Sequence, residues 1–512
     1  MERRNFLKSS LLGTAGFVFM KNSAGSNNAF NKSIKHPISF AGESPSKPVD
    51  IKLNVKPVYL RRIHVAEYSG PCRWSPKSPE EEKVGFKQGS KRFIENVRSN
   101  ISEDANVLEP LSVVLGRTYL EYAKGDIIDP KVWKKIDREV SDIDFFLTNY
   151  RFYGLERYKK PAGQVSTFSS VHDWSAFLRN KGVEGFACYD WEDMNELIKL
   201  LRVRKALQHT KILRVSDRPG DPPVCVLSGI DLKDMRDMYG VDYQDVSYKE
   251  FFDEMDRISR DKTEQEKASS LHKKLINHAQ NVFMNKEYIL NDINFYLTSK
   301  SLMERYNCNA YTLRCFELCG SRIAFERKIV PCLSNLMLRD EGYPSTCEGD
   351  TNALFTVMIF MYLTNKPAYM GNTWYYAKEN KLKIAHDAAS LRMKGLEKPD
   401  LPYEIQSFVD KGHGEFGTTV RYDFARDKGQ TVTIARFNPY LRVVAMAKGT
   451  IAGGVGFRNT GCTLGLEVDV PDVKGLYDAS RDTGNHLVLV YGDHTGDIKK
   501  LSEILHYEVR EA

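Results

Sequence analysis

Apolar and polar positions follow two different periods along this chain, and the change of period divides it. Residues 51–65 alternate loosely and predict an opening strand. Residues 129–140 read as a helix, followed by a buried strand over 143–150. Met194, Leu197, Ile198 and Leu201 recur at helical spacing and predict a helix over 190–206. A short strand follows at 211–215, closed by the turn-forming Arg-Pro-Gly-Asp-Pro-Pro of 218–223. Helices alternating with apolar strands imply an α/β arrangement with parallel strands.

Residues 248–306 are mostly helical, with Phe251, Phe252, Met255 and Ile258 on one face. The charged run 260–267 reads as a solvated helix surface or a helix junction. Residues 309–319 form a strand candidate ending in Cys-Phe-Glu-Leu-Cys, and 351–363 a strongly apolar helix. Past residue 368 the period shortens. Residues 369–376 and 382–385 form a hairpin across Lys378-Glu-Asn-Lys, and 418–424, 431–437, 441–448 and 463–470 are further short strands. Their regular spacing marks a β-rich C-terminal region.

Length agrees with this division, since 512 residues suggest about three domains. They are placed at 51–205 (N-terminal α/β), 206–366 (central α/β) and 367–512 (β-rich). A composition of 42% hydrophobic and 28% charged residues excludes a collagen-like or largely disordered chain. The net charge is +7, of which the first 24 residues hold +3. What remains is too dilute for a nucleic-acid partner, which needs a basic patch or stripe. Nine cysteines without a CxxC suggest neither a disulfide scaffold nor a zinc ribbon.

The N-terminus changes the expected location. Arg3-Arg4-Asn5-Phe6-Leu7-Lys8 resembles the twin-arginine export signal, with a mildly apolar stretch behind it. That stretch is shorter than the about 20 residues a membrane span needs. Residues 1–30 are accordingly read as a signal and 31–50 as a linker. The expectation is a periplasmic or exported protein with no stable membrane insertion after the signal is removed.

Candidate chemistry concentrates in residues 331–363. Glu348 and Asp350 flank Gly349 just before the apolar helix, where an N-cap role competes with a functional one. Carboxylates at strand ends of an α/β sheet lie where ligands bind. Glu317, at the end of the preceding strand candidate, is a second such acid, with Arg314 or Arg322 as possible partners. Two strand-end acids suit a hard divalent cation. His486 precedes an apolar strand and His386 closes a hairpin strand; either alone is more often structural than a ligand.

At Arg-Cys-Phe-Glu (314–317), at Leu-Met-Leu-Arg-Asp-Glu-Gly-Tyr through Cys-Glu-Gly-Asp (336–350), and at Gly-Asn-His-Leu-Val-Leu-Val-Tyr-Gly-Asp (484–493), the chain resembles the L-fucose isomerase and L-arabinose isomerase superfamily. The resemblance runs from about residue 290 to 512 and rests on the order of these motifs. It implies two Rossmann-like α/β domains, a barrel-like C-terminal domain, and a trimer or hexamer of identical chains. It further implies Mn²⁺ or another divalent cation on two carboxylates and a histidine, and aldose–ketose interconversion of a free sugar through an enediol. Carried over, the ligands fall on Glu317, Glu348 (or Asp350) and His486, with Glu317 and Glu348 as acid/base groups. His386 becomes a candidate for substrate or metal contact, Asp350 for substrate contact, ligation or support of a ligand, and Tyr376 for substrate contact. Two departures stand out. Tyr376 occupies the place of a further metal-binding histidine of arabinose isomerases, and the export signal is foreign to cytoplasmic sugar metabolism. The competing expectation is a carbohydrate-binding protein that keeps the fold without the metal. A twin-arginine-exported oxidoreductase ranks below both, because no GxGxxG, CxxC or haem motif is present.

Overall fold

Strand Leu53–His64 is buried almost without interruption from Val55 to Leu60, the pattern of a strand covered on both faces. It is the hub of a first sheet. Ala105–Val107 and Leu111–Arg117 pair with its two halves, and Phe145–Thr148 lies on the other side, followed by Ala162–Val165 and Gly185–Cys188. Every pairing is parallel. Helices Pro79–Asn100, Pro130–Glu139 and Ser170–Asn180 lie between the strands in sequence. The structure, a computed structural model, describes residues 45–64, 78–117, 128–217, 232–387, 389–409 and 416–512. The segment read as an export signal and the turn expected at 218–223 lie outside the described residues.

A second parallel sheet has the order Asp242–Val246, Lys211–Val215, Ala310–Leu313, Ser345–Thr346. The chain steps outward from 211–215 to 242–246, then returns across to 310–313 and continues the other way. Crevices at the carboxyl ends of strands beside such a reversal are where α/β sheets bind ligands. Asp217, Glu317 and Glu348 all follow those carboxyl ends.

The C-terminal region is antiparallel but for one edge strand. Strands Thr431–Phe437, His486–Tyr491, Tyr369–Tyr376, Lys381–His386, Leu464–Asp469 and Val443–Val455 pair in that order, and the last also pairs with the first, so the pairings return on themselves. Glu508–Glu511 adds to Val443–Val455 in parallel. Tyr403–Ser407 forms a separate small sheet with Thr418–Tyr422 and Asn281–Val282.

Helix Thr351–Thr364 ties these layers together. It is buried from Thr351 to Leu363 on every side, as expected of a helix apolar all round. It packs against helix Trp191–Gln208 and against strands Thr431–Phe437 and His486–Tyr491. One hydrophobic core therefore runs from Leu53 through Ile198 and Phe355 to Val488. Helix Trp191–Gln208 passes straight through the expected boundary at 205.

Several expectations need correction. The 309–319 segment is strand only over Ala310–Leu313; Arg314 leaves the extended region (φ −83°, ψ 73°) and Cys315–Cys319 is a short helix. The charged run at 260–267 takes one of its two expected forms, a helix junction: Asp261 ends helix Tyr248–Arg260 and its side chain caps Lys262–His278 through the Glu264 N–H at 3.1 Å. The strand expected at 441–448 extends to Val455, and the 418–424 strand stops at Tyr422 and joins the small sheet instead.

Candidate metal centre

The first component is made by an unusual turn. After Ser345–Thr346, Glu348 (φ 63°) and Gly349 (φ 65°) are both left-handed. For a non-glycine residue that conformation costs on the order of 1–3 kcal/mol, and it persists only where surroundings enforce it. Here the Gly349 N–H donates to the Leu313 carbonyl at 2.7 Å, tying the turn to the neighbouring strand end. A Cβ on Gly349 would stand 2.7 Å from Arg314 Cγ, so glycine is needed for space as well as for φ. Asp350 then starts helix Thr351–Thr364 by accepting the Ala353 N–H at 2.9 Å. The turn leaves Glu348 buried.

The second component comes from the C-terminal sheet. His386 is the last residue of Lys381–His386 and His486 the first of His486–Tyr491, with strand Tyr369–Tyr376 between them. His486 pairs with Asn372, and Asn372 with Ala385, so both histidines reach the same end of the sheet. The Tyr369 hydroxyl accepts the His386 N–H at 2.7 Å and fixes that strand end. The two imidazoles meet edge to face, with centroids 5.4 Å apart.

Glu348, His386 and His486 each offer one donor atom, and these atoms lie within 4.8 Å of one another. His386 Nε2 is 3.0 Å from Glu348 Oε1, and His486 Nε2 is 3.5 Å from Glu348 Oε2. His486 Nδ1 lies 2.8 Å from Asp350 Oδ2. Burial alone would raise the Asp350 carboxyl, but the Arg436 guanidinium and the His486 hydrogen bond outweigh it and hold it well below the usual carboxylate range. An ionised Asp350 only accepts, so the proton of a neutral His486 resides on Nδ1 and Nε2 presents its lone pair toward Glu348. That Nε2 is buried with no hydrogen-bond partner. An imidazole lone pair facing a carboxylate with no hydrogen-bond donor between them is an arrangement that a bound cation would satisfy. Two imidazoles and one carboxylate suit Mn²⁺, Fe²⁺, Co²⁺ or Zn²⁺ better than Ca²⁺. His386 has an outlet for the opposite proton, since Nδ1 lies 3.4 Å from the Asp387 carbonyl.

The sequence candidates separate. Glu348 and His486 meet, and His386, expected as a substrate or metal contact, joins them as a third donor. Asp350 supports His486 instead of lining the site. Glu317 is outside the donor group: it lies on the short helix, its carboxylate sits 3.2 Å from Arg314 Nε, and it accepts the Asp217 N–H at 3.4 Å. Tyr376 is also outside it, being 43% exposed and paired with Lys381 at the far end of the hairpin.

Two buried arginines escaped the sequence reading. Arg436 binds Asp350 with two nitrogens at 2.8 and 3.1 Å. Arg421 lies 3.3 Å from Asp387, which also accepts from the Thr419 hydroxyl at 2.7 Å. Each sits in a strand otherwise reading as apolar or hydroxylic, and a charge in such a strand was the available signal. Cys347 lies beside Glu348; burial pushes its thiol up to about 12, so it stays a neutral packing group whose sulfur accepts from Asn335 at 3.0 Å. No helix among the described residues is long and apolar enough to cross a membrane. No protein-family model matches the chain, and no curated protein matches it significantly.

Proposed function

We propose that the chain is a metal-dependent sugar isomerase that interconverts an aldose and a ketose of a free sugar through an enediol. One observation carries the reading: Glu348, His386 and His486, from distant parts of the sequence, converge with an unsatisfied imidazole nitrogen between them. Mn²⁺ is the cation proposed. When bound, it would polarise the sugar's carbonyl and adjacent hydroxyl as a Lewis acid. The protein's share is to hold the donors and to move protons. Glu348 and Glu317, from adjacent strand ends, are the groups assigned to proton transfer between C1 and C2. The burial of the two histidines limits water at the reacting carbons.

The finer architecture belongs to the same proposal: two Rossmann-like domains and a barrel-like C-terminal domain, in a trimer or hexamer of identical chains. So does export to the periplasm, which rests on the Arg3-Arg4 motif. A second reading, a carbohydrate-binding protein without catalysis, is favoured by Glu317 lying outside the donor group and by Tyr376 in place of a ligating histidine. Elemental analysis of the purified chain, Mn²⁺ calorimetry, and a screen of aldoses and ketoses for interconversion separate the two. Metal uptake with turnover supports the isomerase; sugar binding that ignores Mn²⁺ overturns it in favour of the binding protein.

A further inference from the structure

Arg436 is fully buried in strand Thr431–Phe437, 86 residues from the carboxylate it pairs with. Replacing such a pair by apolar residues is often neutral or stabilising, so stability alone gives little reason for it. Its connections are extensive. Besides the two bonds to Asp350, Nη1 donates to the His486 carbonyl at 2.6 Å, and Nε donates to the Thr483 carbonyl. One guanidinium thus holds both the carboxylate that receives the His486 proton and the backbone of His486 itself. The chain leaves room for it: Gly484 has φ 103°, and a Cβ there would lie 2.8 Å from Arg436 Nη2. The Gly-Asn-His run at 484–486 therefore has a physical reason in its first residue.

We infer that Arg436 and Asp350 are positioning residues that lock His486 as its Nδ1–H tautomer and aim Nε2 at the Glu348 carboxylate. The inference rests on the metal-centre reading for its consequence, but the tautomer itself does not. Arg436 only donates, and it donates to both Asp350 oxygens, so the carboxylate is held in place as the acceptor for His486 Nδ1. The backbone bond to the His486 carbonyl fixes where the ring starts. Outer partners of this kind commonly change metal affinity about 10–100-fold when removed.

Asp350→Asn reverses the polarity without changing size. Its amide oxygen keeps the Oδ1 place, where both the Ala353 N–H and Arg436 Nη2 donate, so its NH₂ replaces Oδ2 at the loss of one Arg436 bond, faces His486 Nδ1 and drives the ring proton to Nε2. The experiment uses the full chain labelled with ¹⁵N-histidine, with His486 assigned by the signal lost in His486→Gln. Metal-free wild type should show the Nδ1–H pattern and Asp350→Asn the Nε2–H pattern. Co²⁺, followed by its visible absorption, should bind Asp350→Asn about 10–100-fold more weakly than wild type. Arg436→Lys keeps the charge but loses the fork, and should weaken Co²⁺ binding in the same direction. It also serves if Asp350→Asn fails to fold. An Nε2–H tautomer in wild type overturns the inference, as does wild-type Co²⁺ affinity and spectrum in both variants. Wild type that binds no Co²⁺ sinks the metal-centre reading instead, and the nitrogen spectrum then decides the positioning role alone.

Discussion

The Gly349 N–H and the Leu313 carbonyl, 2.7 Å apart, join the turn that carries Glu348 to the end of the adjacent parallel strand. This bond helps enforce two successive left-handed residues, one of which has a side chain. Gly349→Ala should be destabilised by about 1–2 kcal/mol from the left-handed backbone alone, with more from the clash at Arg314. Glu348→Gly should instead be as stable as wild type or more so, while losing metal binding. Thermal melting with Mn²⁺ calorimetry reads both, and a destabilised Glu348→Gly would show that the turn stores no strain.

The donor group makes a distinction between two acids. Glu348→Gln should abolish Mn²⁺ binding without unfolding the chain. Glu317→Gln should leave Mn²⁺ affinity within about twofold of wild type and lower turnover by about 10²–10⁴-fold, the range of a lost acid/base group. Equal loss of metal from both variants would place Glu317 among the ligands after all.

His386 has its backbone fixed by Tyr369 but only a 3.4 Å contact at Nδ1. His386→Gln should therefore weaken Mn²⁺ binding while the fold and the His486 tautomer persist. Calorimetry that finds unchanged affinity would return His386 to a structural role.

Glu254 gives the chain an acid-sensitive limb. Burial raises its carboxyl, but hydrogen bonds from Arg257, Ser301 and Arg305 outweigh that and bring it from 4.5 to about 2. A folded-state value below the unfolded one stabilises the fold above about pH 4.5, and the contribution is lost as pH falls toward about 2. Glu254→Gln should be less stable by about 2–3 kcal/mol at neutral pH and should flatten the dependence across that window. Denaturant midpoints measured through the acid range check it.

Asp292 works in the opposite sense. Burial raises it from 3.8 to about 8, only partly offset by the N–H groups of Thr418 and Val330 at 2.6 and 2.7 Å. The contribution it makes when protonated is lost as pH rises through that interval. Asp292→Asn should remove this decline, so a variant whose melting temperature falls with pH as steeply as wild type counts against the assignment.

Most of the architecture was legible because periodicity reports burial: Lys211–Val215 and Thr431–Phe437 stand where the pattern put them. The site was legible in part. Glu348 and His486 were marked by position beside an apolar helix and an apolar strand. Glu317 was misplaced because Phe316 and Leu318 flank it as in a strand, whereas Phe316 is half exposed on a helix of five residues. His386 and Arg436 become partners of distant residues only through sheet register, which no local spacing encodes.

The pairing of Asp350 with His486 spans 136 residues, and the strand that brings them together is among the last in the chain. A growing or shortened polypeptide that ends at helix Thr351–Thr364 still lacks both imidazoles, His386 and His486, and holds only Glu348 of the three donors. Loading of the proposed cation would then await a finished tertiary structure, and the export route proposed from the Arg3-Arg4 motif, which accepts folded cargo, would let it happen before export.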